Sequence, residues 1–134
     1  MKDRPIEGYI TDTLKQLCCD RGLGESSLPI ILEIPRNKGF GDLSCNVAMV
    51  VAKQLRTSPR ELAQTLASSF PTSSDMVESV KIAGPGFLNF HLSPQYFHKL
   101  LAEIVSDPGG FGDSDEGADE RWHFEFVSAN PTDL

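Results

Sequence analysis

Three side chains on one short run carry the clearest chemistry in this sequence. In Phe87-Leu88-Asn89-Phe90-His91-Leu92, strand alternation puts Leu88, Phe90 and Leu92 on one face and Phe87, Asn89 and His91 on the other. An aromatic ring, an amide and an imidazole in a row suit a single-stranded nucleic-acid base. The ring offers a stacking surface, and the amide offers a paired donor and acceptor. Gly84-Pro85-Gly86 precedes the run, and glycine, lacking a Cβ, lets a backbone or ligand approach closely. The same pattern also fits a Phe87 packed under a helix, with Asn89 and His91 in water.

A second candidate is the loop Arg36-Asn37-Lys38-Gly39-Phe40-Gly41, leading into an expected helix at Asp42. Two cations and two glycines before a helix could hold a phosphate. No Walker or dinucleotide-binding spacing is present, and Asp42 would repel an anion, so a solvated basic loop competes with this reading. Catalytic constellations are poor. His91, His98 and His123 fall on different elements with no fixed carboxylate partner, and no nucleophile motif accompanies them. The three cysteines include no Cys-x-x-Cys pair, so neither a zinc site nor any other metal site is expected. They read as small buried or half-buried thiols in a reducing compartment.

The elements that position these residues follow from periodicity. Ile6, Tyr9, Ile10, Thr13, Leu14 and Leu17 recur at helical spacing before Gly22. Ile30–Ile34 is a β-rich run ended by Pro35. Asp42 is a plausible N-cap for a helix that buries Leu43, Val47, Ala48, Val51, Ala52 and Leu55. Ser58-Pro59-Arg60-Glu61 is a capping box with proline at the first helical position, ahead of Leu62, Leu66, Ala67 and Phe70. Val77–Ala83 and Phe87–Leu92 read as two strands with a tight connection. Ser93-Pro94 starts a further helix expected to bury Phe97, Leu100, Leu101 and Ile104. Residues 107–121 read as an acidic, Gly-rich linker, and Trp122–Val127 as one more strand. The fold class is α+β: a small, mostly antiparallel sheet packed against about four helices, then the linker and the extra strand.

Charge is unevenly spread. The formal net charge is −7, yet residues 1–105 carry 11 Lys/Arg and 11 Asp/Glu. The excess acid lies in residues 106–134, so the low pI says nothing for or against the first part meeting a polyanion. No apolar stretch has the length of a membrane span, and the start MKDRPIEGYI lacks a signal segment. The expectation is a cytoplasmic protein without a membrane partner.

Taken together, four runs resemble the N-terminal region of arginyl-tRNA synthetases. They are Gly41-Asp42-Leu43-Ser44-Cys45-Asn46-Val47-Ala48-Met49, Ser58-Pro59-Arg60-Glu61-Leu62-Ala63, Ile82-Ala83-Gly84-Pro85-Gly86-Phe87-Leu88-Asn89-Phe90 and Glu125-Phe126-Val127-Ser128-Ala129-Asn130-Pro131-Thr132. The resemblance implies that residues 1–106 are an additional domain that lies against the tRNA elbow and reads a D-loop base. Phe87 would stack on that base, Asn89 would hydrogen-bond its edge, and Gly84 would allow close approach. The resemblance adds nothing for Arg36 and Lys38, which stay candidate phosphate contacts of the loop beside its solvated reading. Residues 122–134 resemble the start of a class I catalytic domain, in which Ser128 and Asn130 help hold arginine. The family continues into a His-x-Gly-His loop that handles ATP; this sequence reads Thr132-Asp133-Leu134 instead. The expectation is therefore a binding module, truncated within the catalytic domain, with no catalytic residue and no cofactor of its own, ATP belonging to the intact family. Its partners would be an arginine-accepting tRNA and the remainder of a synthetase, and the chain itself would be a monomer. A protein-interaction module that docks a synthetase or regulator through the outer strand face is the alternative.

Overall fold

The computed structural model describes residues 5–24, 28–113 and 117–125. The chain opens with helix α1, Pro5–Cys19. Ile6, Ile10, Leu14 and Cys18 recur every four residues on its inner face, and each is at most 2% exposed. The helix ends in a Schellman arrangement. Gly22 takes φ +89°, its N–H donates to the Cys19 carbonyl, and the Leu23 N–H donates to the Cys18 carbonyl.

Strand β1 is short, Leu32–Glu33, with Ile31 and Ile34 exposed on either side. It is narrower than the Ile30–Ile34 run because an edge strand has only one neighbour to bond. A 3-10 turn follows at Lys38–Phe40, started by Asn37, whose side chain accepts from the Gly39 N–H. Strand β2 is Leu43–Cys45, and helix α2 is Val47–Val51. Here the structure corrects the expected helix start. Asp42 caps no helix: its N–H donates to the Phe90 carbonyl, and its carboxylate accepts from the Leu92 N–H at 2.8 Å. Both bonds tie it to the sheet, which draws Leu43–Cys45 into a strand. The expected buried set survives the change of element, since Leu43, Val47, Ala48, Val51 and Ala52 are all buried and Leu55 is half-buried.

Helix α3, Pro59–Ser69, has the full capping box. Ser58 Oγ accepts from the Glu61 N–H, and the Glu61 carboxylate accepts from the Ser58 N–H. Strand β3 is Val77–Ala83, and strand β4 is Phe87–Leu92. The sheet order is β1-β2-β4-β3, and every pairing is antiparallel. Strand β4 is therefore interior. Its Leu88, Phe90 and Leu92 face the core with Leu43, Cys45, Val77 and the buried residues of α1, α2 and α3. Phe70, at the end of α3, sets its ring edge-on to Phe90 at 5.2 Å and to Tyr9 at 6.1 Å. Burying side chains of this size contributes about 1.5–3 kcal/mol each, so this one cluster dominates the stability of the domain.

Helix α4, Pro94–Ser106, is capped by Ser93, which accepts from the Gln95 N–H and donates to the Ser74 carbonyl. It departs from expectation in burial. Leu100 and Ile104 are half-buried, but Phe97 and Leu101 are 44% and 58% exposed, and Val105 extends that bare row. Tyr96 is the α4 residue packed against the core, and no residue of the helix is fully buried.

Beyond α4 the described chain forms turns and irregular segments. The strand expected at Trp122–Val127 does not form over residues 122–125, which join no sheet; residues 126 and 127 lie outside the described residues. Trp122 and Phe124 are largely exposed and stack on each other at 6.2 Å, because no neighbouring strand pairs their backbone.

Candidate nucleic-acid interface

The face of the sheet opposite the core is set by register. Asn89 on β4 pairs with Ser44 on β2 and with Lys81 on β3, and Ser44 pairs with Glu33 on β1. Directly opposed residues share a face, so Glu33, Ser44, Asn89 and Lys81 form one row across all four strands. The neighbouring rows on this face hold Phe87 opposite Ala83, and His91 opposite Ser79. Phe87 and His91 are four residues apart, about 13 Å along an extended strand.

Phe87 is 38% exposed, which for a strand residue on the outer face leaves part of its ring open. The bare Gly84 flanks it: a Cβ built there would lie 3.8 Å from Phe87 Cδ2, and Gly84 holds φ +53° in the turn. Asn89 sits deeper than strand alternation alone suggests, at 4% exposure, enclosed between the strands on either side. Its Oδ1 accepts a hydrogen bond from Ser44 Oγ at 2.8 Å. That bond orients the amide and leaves the Nδ2 hydrogens as the donors still to be used. His91 is half-buried, and its Nε2 is buried without a hydrogen-bond partner among the described residues.

The structure brings the two sequence candidates to the ends of one strip. The loop holding Arg36 and Lys38 reaches β4 at its His91 end. Gly41, with φ +87°, lies so close that a Cβ there would meet the Phe90 carbonyl oxygen at 2.6 Å and His91 Nε2 at 3.3 Å. Arg36 and Lys38 are both exposed and carry no ion pair among the described residues. The Gly84-Pro85-Gly86 turn closes the Phe87 end. A Cβ on Gly86 would lie 2.9 Å from the Pro59 carbonyl oxygen, so this glycine is what lets α3 seat against the turn.

Three contributors to this face were not singled out from sequence. Ser44 orients Asn89, Lys81 stands directly opposite it, and Arg60 Nη1 donates to the Gly84 carbonyl at 3.0 Å. The signal for Lys81 was present. Counting back from a three-residue connection pairs Ala83 with Phe87, and hence Lys81 with Asn89. Ser128 and Asn130 lie outside the described residues. Among the described residues no group of His, Cys, Asp or Glu side chains is placed to hold a metal ion, and no helix is long and apolar enough to cross a membrane. Cys18 and Cys45 are buried and Cys19 is half-buried, as expected, and all three are free.

Comparison with known proteins places this architecture. Residues 5–92 match the family described as the arginyl tRNA synthetase N terminal domain. The arginine–tRNA ligase of Listeria monocytogenes serotype 4a is 40% identical over 112 residues, 83% of this chain and 20% of that protein. That of Nitrosospira multiformis is 41% identical over 127 residues, 95% of this chain and 22% of the relative. The chain thus spans about a fifth of the length of the curated relatives it matches. Among solved structures, Thermus thermophilus arginyl-tRNA synthetase superposes with a TM-score of 0.55 at 25% identity, covering 78% of this chain and 16% of that one. Plasmodium falciparum arginyl-tRNA synthetase superposes with a TM-score of 0.60 at 21% identity, covering 74% of this chain and 18% of its own, a likeness of fold. The chain belongs to the family of arginyl-tRNA synthetase N-terminal domains.

Proposed function

We propose that this chain is the tRNA-contacting module of an arginyl-tRNA synthetase, and that it works by binding rather than by catalysis. The observation that carries the reading is the pairing of a part-exposed Phe87 ring with an oriented Asn89 amide two residues along the same strand face. The ring takes the flat face of a single-stranded base, and the Asn89 Nδ2 hydrogens donate to acceptors on its edge. A base that is already unstacked, such as one in the D-loop at the tRNA elbow, can be presented this way without melting a helix. Exposed Arg36 and Lys38 lie at the far end of the strip, where they meet phosphates. Arginine and ATP chemistry belongs to the rest of such a synthetase, with Ser128 and Asn130 as contributors to the arginine pocket.

The test is a titration of the chain with an arginine-acceptor tRNA transcript. Phe87→Ala and Asn89→Ala are each expected to weaken binding by about 1–3 kcal/mol, the cost of losing a base stack or its edge contact. Replacing the target D-loop base should weaken the unmodified chain by a similar amount and leave Phe87→Ala unaffected. Binding that ignores all three changes removes this reading.

A second reading, docking to a protein such as the remainder of a synthetase, is favoured by one observation on a different surface. Phe97, Leu101 and Val105 form the bare apolar row of α4. None of these residues belongs to the β4 strip, so both uses are compatible with one chain.

A further inference from the structure

We infer that Arg60 is a phosphate clamp for the nucleotide whose base lies on Phe87, a role that rests on the nucleic-acid reading of the β4 face. The Ser58-Pro59-Arg60-Glu61 run explains why an arginine stands there in a fixed pose. Ser58 and Glu61 close the capping box and so fix the first turn of α3. The Glu61 carboxylate is occupied by that box: hydrogen bonds from Ser58, and after them one from Thr57, hold it below the usual carboxylate range. The acid next to Arg60 in sequence is thereby turned to the helix cap, and Arg60 makes no ion pair among the described residues.

Arg60 instead reaches across to the loop between β3 and β4. Its Nη1 donates to the Gly84 carbonyl at 3.0 Å, and Gly84 flanks the Phe87 ring. Close packing of Gly86 on the Pro59 carbonyl holds the two backbones together at the same place. One donor of the guanidinium is spent on the turn, Arg60 is exposed, and the turn it holds is the one that flanks the ring. A base stacked on Phe87 brings its flanking phosphate to this end of the strip, and a planar, anchored guanidinium matches two phosphate oxygens at once. Lys81, exposed and opposite Asn89, supplies a second positive charge on the same side of β4. On this inference the main backbone grip lies at the turn, on Arg60, with Arg36 and Lys38 secondary.

The experiment measures affinity for an arginine-acceptor tRNA transcript as a function of salt, for the unmodified chain and for Arg60→Gln, Arg60→Lys and Phe87→Ala. Each variant is first checked for folding by urea unfolding. Loss of a phosphate contact lowers the slope of log affinity against log salt by about 0.7–0.9. Arg60→Gln is expected to show that drop together with about a tenfold loss of affinity at moderate salt. Arg60→Lys should keep the slope and lose only part of the affinity, because charge remains but the fork is gone. An Arg60→Gln slope equal to the unmodified one, whether or not affinity falls, makes Arg60 a structural staple only and overturns the clamp. An unaffected Phe87→Ala beside a lowered Arg60→Gln slope keeps the clamp and removes the base stack, so the two ideas fail separately. Absence of tRNA binding by the unmodified, folded chain at low salt overturns both.

Discussion

Ser44 Oγ donates to Asn89 Oδ1 at 2.8 Å, across the β2–β4 pairing, on residues 45 positions apart in the chain. The bond ties down one end of the amide and leaves the other for a further partner. Ser44→Ala should therefore act twice. It strands a buried acceptor, which costs about 1 kcal/mol of stability, read as a lower urea midpoint at unchanged slope. It also frees the amide to rotate, so on the proposed nucleic-acid reading affinity for tRNA should fall as well. A Ser44→Thr variant, which keeps the hydroxyl, should recover most of the affinity.

Two glycines give opposite signs. At Gly41 any Cβ meets the Phe90 carbonyl oxygen at 2.6 Å, and φ is +87°. Gly41→Ala should lose about 2–3 kcal/mol in urea unfolding, because both the clash and the left-handed backbone penalise it. Gly8 lies inside α1 with nothing within 4 Å of its Cβ position. Gly8→Ala should gain about 0.5–1 kcal/mol, since alanine loses less backbone freedom in a helix.

Thiol chemistry should separate the adjacent cysteines. Burial pushes the Cys18 thiol up to about 11 from an ordinary 9.0, with Arg21 opposing only in part. Cys45 is raised as well, again chiefly by burial. At pH 8 a thiol reagent should label half-buried Cys19 first, and reach Cys18 and Cys45 only after urea is added. The linked stability has a definite sign. A raised pKa keeps the proton on in the folded state, so the Cys18 contribution is complete below pH 9. It declines as pH rises from 9 towards 11. Unfolding midpoints of the unmodified chain should fall over that window more steeply than those of Cys18→Ala.

Much of the fold was legible because its signals are local. The Ile6–Cys18 repeat, the Ser58–Glu61 box and the alternation of Phe87–Leu92 each specify one element with little help from the rest of the chain. What escaped was set by long-range pairing. Asp42 looks like a helix cap until β4 offers its backbone, and then Leu43–Cys45 becomes a strand without changing which side chains are buried. Asn89 reads as an outer-face residue, and it is one, but its burial follows from having a strand on each side. The apolar positions of α4 look like core because periodicity shows that a helix has an apolar face and not whether anything covers it. Of the candidate site, Phe87, Asn89 and the basic loop are legible directly in the sequence. Ser44, Lys81 and Arg60 needed the strand register and the contact between α3 and the turn.

The row Glu33, Ser44, Asn89, Lys81 has one more consequence. A flat ring lying on Phe87 has two ways round that stacking alone hardly distinguishes. The row is acidic at its β1 end and basic at its β3 end. On the proposed nucleic-acid reading it would break that tie, attracting the sugar–phosphate side of a nucleotide towards β3 and repelling it from β1. On that reading the sheet would be a compass as well as a platform, and reversing the charges at positions 33 and 81 would turn the needle.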